Sequence, residues 1–132
     1  MQQTRLLVVD DEPVFTESLA RLLALRGYTV QIARDGEEAL QKLQKEPFDL
    51  IVMDLIMPRM NGVTALENMK KMGLKIPCIV LTGYISVQMT KQALNFGACD
   101  FLEKPCEVDE LEKKIEKVLQ KGEEVRVNEA WR

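Results

Sequence analysis

The sequence predicts an α/β fold: a doubly wound parallel sheet of five strands, with helices on both faces. Three observations predict it. Short apolar runs alternate strictly with amphipathic stretches of helical period, five of each, and that alternation builds right-handed βαβ crossovers. The runs Leu6-Leu7-Val8-Val9, Leu50-Ile51-Val52-Met53 and Ile79-Val80-Leu81 contain no polar residue, as strands covered on both faces require. The polar residues come where the runs stop: Asp10-Asp11, Asp54, Thr82 and, after Asp100-Phe101-Leu102-Glu103, Lys104-Pro105.

Each element has its own warrant. After the first strand, Pro13 suits the first turn of a helix, where its missing N–H costs nothing. Phe15, Leu19, Leu22 and Leu23 then recur at helical spacing, and Gly27 closes the helix. Residues 28–33 read as strand two. Asp35 caps a helix carrying Ala39, Leu40 and Leu43 inward, and Pro47 stops it. Strand three spans 49–53, and a loop runs through Met57-Pro58-Arg59-Met60. Asn61 caps a helix with Leu66 and Met69 inward that ends near Gly73. Strand four spans 76–81. Ser86 caps a helix with Met89, Ala93, Leu94 and Phe96 inward, closed by Gly97. Strand five spans 99–102. The last helix gathers Val108, Leu111, Ile115, Val118 and Leu119 on one face, with Glu and Lys on the other. Residues 1–121 form one domain, and 122–132, a polar stretch broken by Val125, Val127 and Trp131, is expected to be a frayed tail or the stub of a linker.

Composition narrows the function. Of the residues, 46% are hydrophobic and 30% charged, the balance of a soluble globular domain. The net charge of -3 argues against direct nucleic-acid binding, which depends on clustered positive charge. No apolar run approaches a membrane span. The first strand follows Met1-Gln2-Gln3-Thr4-Arg5 directly, leaving no room for a signal peptide. The three cysteines, Cys78, Cys99 and Cys106, are odd in number and fit no zinc spacing. Cys78 and Cys99 open strands, where a thiol is expected to behave as a small buried hydrophobe. A reduced, cytoplasmic protein is the expectation. With no histidine in the chain, Ser-His-Asp and Cys-His mechanisms are excluded.

In an open parallel sheet, ligands bind at the carboxyl ends of the strands. One sheet edge should therefore gather Asp10, Asp11, Asp54, Thr82 and Lys104. Each has a plainer reading alone: a helix cap or turn for the aspartates, a turn hydroxyl for Thr82, a solvated charge for Lys104. Together they are harder to explain that way. Clustered carboxylates repel, and a hard divalent cation such as Mg²⁺ relieves them through oxygen ligands. Asp10 and Asp11 can supply one direct ligand and one through water. Lys104 adds a fixed cation and Thr82 a hydroxyl, completing a cradle for a phosphoryl group. Asp54 directly follows a buried strand, and aspartate is a nucleophile for acyl-phosphate formation, so Asp54 is the expected phosphoacceptor. A small Mg²⁺-dependent aspartyl phosphatase acting on a separate substrate would use the same groups. It usually needs a second carboxylate just beyond the nucleophile, where this chain has Ile56. A metal-free scaffold is the third reading, and the intact acidic cluster opposes it.

These residues resemble the receiver domain of two-component response regulators, from about Arg5 to Lys121. The matching motifs are Val9-Asp10-Asp11, Met53-Asp54-Leu55-Ile56-Met57-Pro58, Asn61-Gly62, Leu81-Thr82-Gly83 and Lys104-Pro105. The resemblance implies a flavodoxin-like strand order 2-1-3-4-5. It implies that Asp54 takes a phosphoryl group from a histidine kinase or phosphotransfer protein, catalysing only its own phosphorylation and dephosphorylation. It further implies Mg²⁺ held by Asp11, Asp54 and the backbone carbonyl of Ile56, with Asp10 acting through water, and a cis Lys104-Pro105 bond. Thr82 and Phe101 are the implied switch pair; Phe101 lacks the hydroxyl of the frequent Tyr, so the switch would work by packing. Ile56 and Tyr84 should border the approach to the phosphoryl group and slow its hydrolysis. The segments Leu81-Thr82-Gly83-Tyr84 and Asp100-Phe101-Leu102-Glu103-Lys104-Pro105 look most like receivers of the nitrogen-regulation type. Those normally precede an ATPase and a DNA-binding domain, neither of which lies within this sequence. The output surface is expected in the fourth helix, fifth strand and fifth helix. There Lys91, Glu110, Glu112, Lys113 and Lys117 would pair with a downstream protein or, on phosphorylation, with a second copy in a homodimer.

Overall fold

The computed structural model describes residues 3–83 and 85–130, with residues 122–130 as backbone only. Five strands and five helices alternate: β1 (Arg5–Val9), α1 (Pro13–Leu25), β2 (Thr29–Ala33), α2 (Gly36–Lys45), β3 (Leu50–Met53), α3 (Gly62–Lys71), β4 (Cys78–Thr82), α4 (Val87–Asn95), β5 (Ala98–Glu103) and α5 (Val108–Ala130). The strands form one parallel sheet in the order β2-β1-β3-β4-β5. This is the flavodoxin-like arrangement expected from the sequence.

Strand side chains alternate between faces, and the core divides accordingly. Leu7, Val9, Ile51, Met53 and Val80 pack under α2, α3 and α4 with Ala39, Leu43, Leu66, Met69 and Ala93. Leu6, Val8, Leu50, Val52, Ile79 and Leu81 pack under α1 and α5 with Leu19, Leu23, Leu111 and Ile115. The residues of β1, β3 and β4 other than Arg5 are buried, which is why these runs are continuously apolar.

Three helices start on the expected caps. Asp35 accepts from the Glu38 N–H at 2.9 Å, Asn61 from Thr64 at 2.9 Å and Ser86 from Met89 at 3.1 Å. Helix α1 differs. Its N-cap is Glu12, with no side-chain cap bond and Pro13 next, so neither Asp10 nor Asp11 caps it. After α1 the chain turns at Gly27, whose φ of 98° lies in the region open to glycine.

Three expectations need correction. Leu22 and Leu94 are 44% and 51% exposed, on the solvent flanks of α1 and α4 rather than in the core. Cys99 is exposed, unlike buried Cys78. The register explains this: Ala98 pairs with Cys78 and Asp100 with Ile79, so Cys99 is the extra residue of an irregularity in the β4–β5 ladder. The helical backbone of α5 continues past Lys121 to Ala130, through the stretch that the sequence marks as a polar tail or linker stub. The apolar stripe fades there, but Glu123, Glu124, Arg126, Glu129 and Ala130 are strong helix formers. Residues 131–132 lie outside the described residues.

Candidate functional site

The strand order sets β1, β3 and β4 side by side, so their last residues meet at one edge. The ladder extends one step past the strands: the Asp54 N–H donates to the Val9 carbonyl at 2.9 Å, and the Asp10 N–H to Ala33 at 3.0 Å. The Lys104 N–H donates to the Thr82 carbonyl at 2.9 Å. The Lys104–Pro105 peptide is cis.

Asp10, Asp54 and Thr82 are buried polar residues. Asp10 Oδ1 accepts from the Glu12 N–H at 3.0 Å, and Asp54 Oδ1 from the Ile56 N–H at 3.2 Å. The second oxygen of each carboxylate takes Lys104: Nζ lies 2.5 Å from Asp10 Oδ2 and 3.1 Å from Asp54 Oδ2. A third carboxylate, Glu12, stands 3.7 Å from Nζ with its side chain 65% exposed. The Phe15 ring from α1 lies under the ammonium, 4.3 Å from Nζ to its centroid.

The charges perturb one another. Burial raises the Asp10 carboxyl above the ordinary aspartate range, outweighing Lys104 and the Glu12 N–H. Burial works against the Lys104 ammonium too, yet bonding to Asp10 and Asp54 carries its pKa above the usual lysine value. One ammonium faces three carboxylates, leaving excess negative charge. Oxygens of Asp10, Glu12 and Asp54 all lie within 4.8 Å of one another. Two of these carboxylates are buried and one opens to solvent. This all-oxygen, anionic donor set fits a hard divalent cation.

Asp11 is placed elsewhere. It is exposed and, together with Asp10, lines a polar cleft of about 370 Å³ beside Thr16, Arg34 and Lys42; it is not one of the three carboxylates that converge. The chain bends at Asp11, and the Asp10 carboxylate turns back to accept the Glu12 N–H, so that Asp10 and Glu12 are the two residues of this run whose oxygens converge with Asp54. The acidic run Asp10-Asp11-Glu12 carried that signal. The sequence expects Asp10 and Asp11 as the metal-side pair; Glu12 is the further carboxylate that stands beside Asp10.

The loop after Asp54 is tightly held. The Gly62 N–H donates to the Leu55 carbonyl at 2.9 Å, and the Gly36 N–H to Met60 at 3.2 Å. A Cβ on Gly62 would collide with the Asp54 carbonyl oxygen and meet Leu55 Cα at 2.9 Å. Arg59 has φ 63°, and its Nε lies 3.4 Å from Asp35 Oδ2. Ile56 is 51% exposed beside Asp54; Tyr84 lies outside the described residues.

Thr82 ends β4 fully buried, while Phe101 sits opposite Val80, half-buried against the α2–α4 side of the core. Among the charges expected to meet a partner, Glu112 is engaged within the chain: Nη1 of Arg26, just past α1, bonds it at 2.9 Å and Asp109 at 2.6 Å. Asp100 bonds the Lys114 ammonium at 3.0 Å, tying β5 to α5.

Known proteins resemble this chain in sequence and fold. The family described as the response regulator receiver domain matches residues 6–116. Response regulator MprA of Mycobacterium ulcerans (strain Agy99) is 38% identical over 117 residues, covering 89% of this chain and 50% of that protein. Transcriptional regulatory protein ZraR of Escherichia coli (strain K12) is 38% identical over 114 residues, 86% of this chain and 26% of that protein. The chain thus spans half or less of the length of these curated relatives. The crystal structure of a CheY-like response regulator receiver domain protein from Methanospirillum hungatei JF-1 superposes with TM-score 0.89 at 33% identity, covering 93% of this chain and 98% of that one. Among the described residues, no helix is long and apolar enough to cross a membrane.

Proposed function

Because the chain belongs to the response regulator receiver domains, which are signalling domains rather than classical enzymes, we propose that it is a phosphorylation switch whose phosphoacceptor is Asp54. The observation that carries this reading is the Asp54 carboxylate, buried at a strand end and held by the Lys104 ammonium at 3.1 Å. A phosphohistidine of a histidine kinase or phosphotransfer protein would be the donor. An Asp54 oxygen forms the new bond to phosphorus, the bond from phosphorus to the histidine nitrogen breaks, and the imidazole leaves with the electron pair.

The chain's own groups prepare that transfer. The Ile56 N–H fixes one Asp54 oxygen, which orients the carboxylate for attack. Lys104 supplies positive charge where the phosphoryl oxygens arrive. Thr82, at the end of the neighbouring strand, offers its hydroxyl to the same group. Mg²⁺ would be held by Asp11, Asp54 and the Ile56 carbonyl, with Asp10 acting through water and Glu12 at the mouth. When bound, the ion would neutralise charge on the phosphoryl oxygens. Ile56 beside Asp54 offers no group to orient a hydrolytic water, which supports a lasting phosphoryl group.

Movement of Thr82 toward the phosphoryl group opens space beside β4, and Phe101 turns into it, so α4, β5 and α5 repack. The altered surface binds either a downstream protein or a second copy. Residues 1–121 constitute the switch, and 122–132 lead out of it. Amide hydrogen exchange with and without an acyl phosphate plus Mg²⁺ tests the switch. Exchange should change in α4, β5 and α5; identical exchange in a protein shown by mass to be phosphorylated would remove it.

A further inference from the structure

Among the described residues Lys104 is the cation that joins Asp10 and Asp54, and its surroundings on the fourth side are aromatic. Its side chain is 14% exposed. Asp10 and Asp54 accept two of its hydrogen bonds, Glu12 stands at 3.7 Å toward solvent, and the Phe15 ring lies at 4.3 Å. Phe15 is itself half-buried, packed against the core between the sheet and α1 and α5. An ammonium within about 6 Å of a ring centroid is attracted to the ring face, more strongly when desolvated. A ring there also keeps water from the ammonium on that side.

We infer that Phe15 is a positioning residue for Lys104, its ring holding the ammonium over the phosphoacceptor when the charge on Asp54 changes. The inference rests on the reading of Asp54 as phosphoacceptor. Before transfer, Lys104 is shared between Asp10 and Asp54. During transfer its contact with Asp54 must pass to the phosphoryl oxygens. A lysine has a long, flexible stem, and its ammonium is strongly hydrated. Without a wall it can swing toward exposed Glu12 and water instead. The ring removes that alternative, so the cation needs no reorganisation as charge develops. Asp10, just past the end of β1 and fixed through its bond from Glu12 N–H, and Phe15 of α1 thus bracket the ammonium from two sides.

Phe15→Leu keeps an apolar side chain against the core but removes the ring face; Phe15→Tyr keeps the ring. Phosphorylation by acetyl phosphate with saturating Mg²⁺ is followed by intact mass across donor concentrations, with a thermal melt of each variant. The maximal rate constant of Phe15→Leu should fall about tenfold, the scale of a desolvated cation–π contact. Its half-saturating donor concentration should stay the same, and Phe15→Tyr should restore the rate. A Phe15→Leu protein that is folded at the assay temperature and reacts at the wild-type rate overturns the inference. So does equal slowing in the Leu and Tyr variants, which would mark a packing role only. Wild-type protein that takes no phosphoryl group would instead overturn the assignment of Asp54, so the two failures are distinguishable.

Discussion

Asp10 and Asp54 present their carboxylates in the same way, although 44 positions separate them in the chain. Each donates its own N–H to a neighbouring strand. Each uses Oδ1 to accept the N–H two residues on and Oδ2 to accept Lys104. Each adjacent strand end makes the same small turn, so the two acids face each other across the parallel ladder. A single lysine from beyond β5 then holds both. The site is a product of topology: one edge of a parallel sheet, repeated with one chemistry.

That arrangement carries a cost at Asp10. Burial holds its folded-state pKa above the unfolded value of 3.8, so its ionised form opposes folding. The penalty is absent below pH 3.8, grows as pH rises through the folded-state value, and is fully present at neutral pH. In chelator at pH 7, Asp10→Asn should therefore be more stable than wild type, by about 1 kcal/mol. Mg²⁺ should raise the melting temperature of wild type and leave that of Asp10→Asn nearly unchanged. A less stable Asp10→Asn protein in denaturant melts would contradict the dominance of burial over the Lys104 bond.

Gly62 governs the loop that follows Asp54. Its missing Cβ leaves room for the Asp54 carbonyl and the Leu55 backbone, and rigid backbone cannot step aside as a flexible side chain would. Gly62→Ala should cost about 2 kcal/mol by overpacking, despite the better helix propensity of alanine. It should also slow phosphorylation by displacing Asp54. Wild-type stability in urea unfolding would show that the loop does not depend on this contact.

The parallel sheet and the meeting of Asp10, Asp54, Thr82 and Lys104 at one edge were legible because continuous apolar runs with polar endpoints mark buried parallel strands; the strand order followed from the resemblance to receiver domains. The Asp35, Asn61 and Ser86 caps were legible for the same local reason: a short polar side chain precedes a helical stripe. The approach of Glu12 and Phe15 to Lys104 was not read, since it depends on a two-residue turn and on where a lysine from beyond a distant strand ends. Cys99 was misplaced because a ladder irregularity is invisible in periodicity. The exposure of Leu22 and Leu94 depends on how far each helix is rolled against the sheet.

The Asp100–Lys114 pair links β5 to α5, two elements of the proposed output surface. Burial alone would raise the Asp100 carboxyl, but the Phe101 N–H and the Lys114 ammonium together hold it below the ordinary value of 3.8. Its contribution is therefore present above pH 3.8 and lost as pH falls through the lower folded-state value. Asp100→Asn should lower stability at pH 7 by about 0.5 kcal/mol, the scale of a half-exposed pair. The gap from wild type should close in acid. A gap that persists unchanged at low pH would mean that the carboxylate charge is not its source.

The phosphoacceptor assignment is tested most directly by intact mass after incubation with acetyl phosphate and Mg²⁺. Wild-type protein should gain the mass of one phosphoryl group, lose it again in chelator at alkaline pH as an acyl phosphate does, and gain nothing when Mg²⁺ is withheld. Asp54→Asn should gain nothing in any condition. An Asp54→Asn protein that acquires the same mass at the wild-type rate would contradict the assignment.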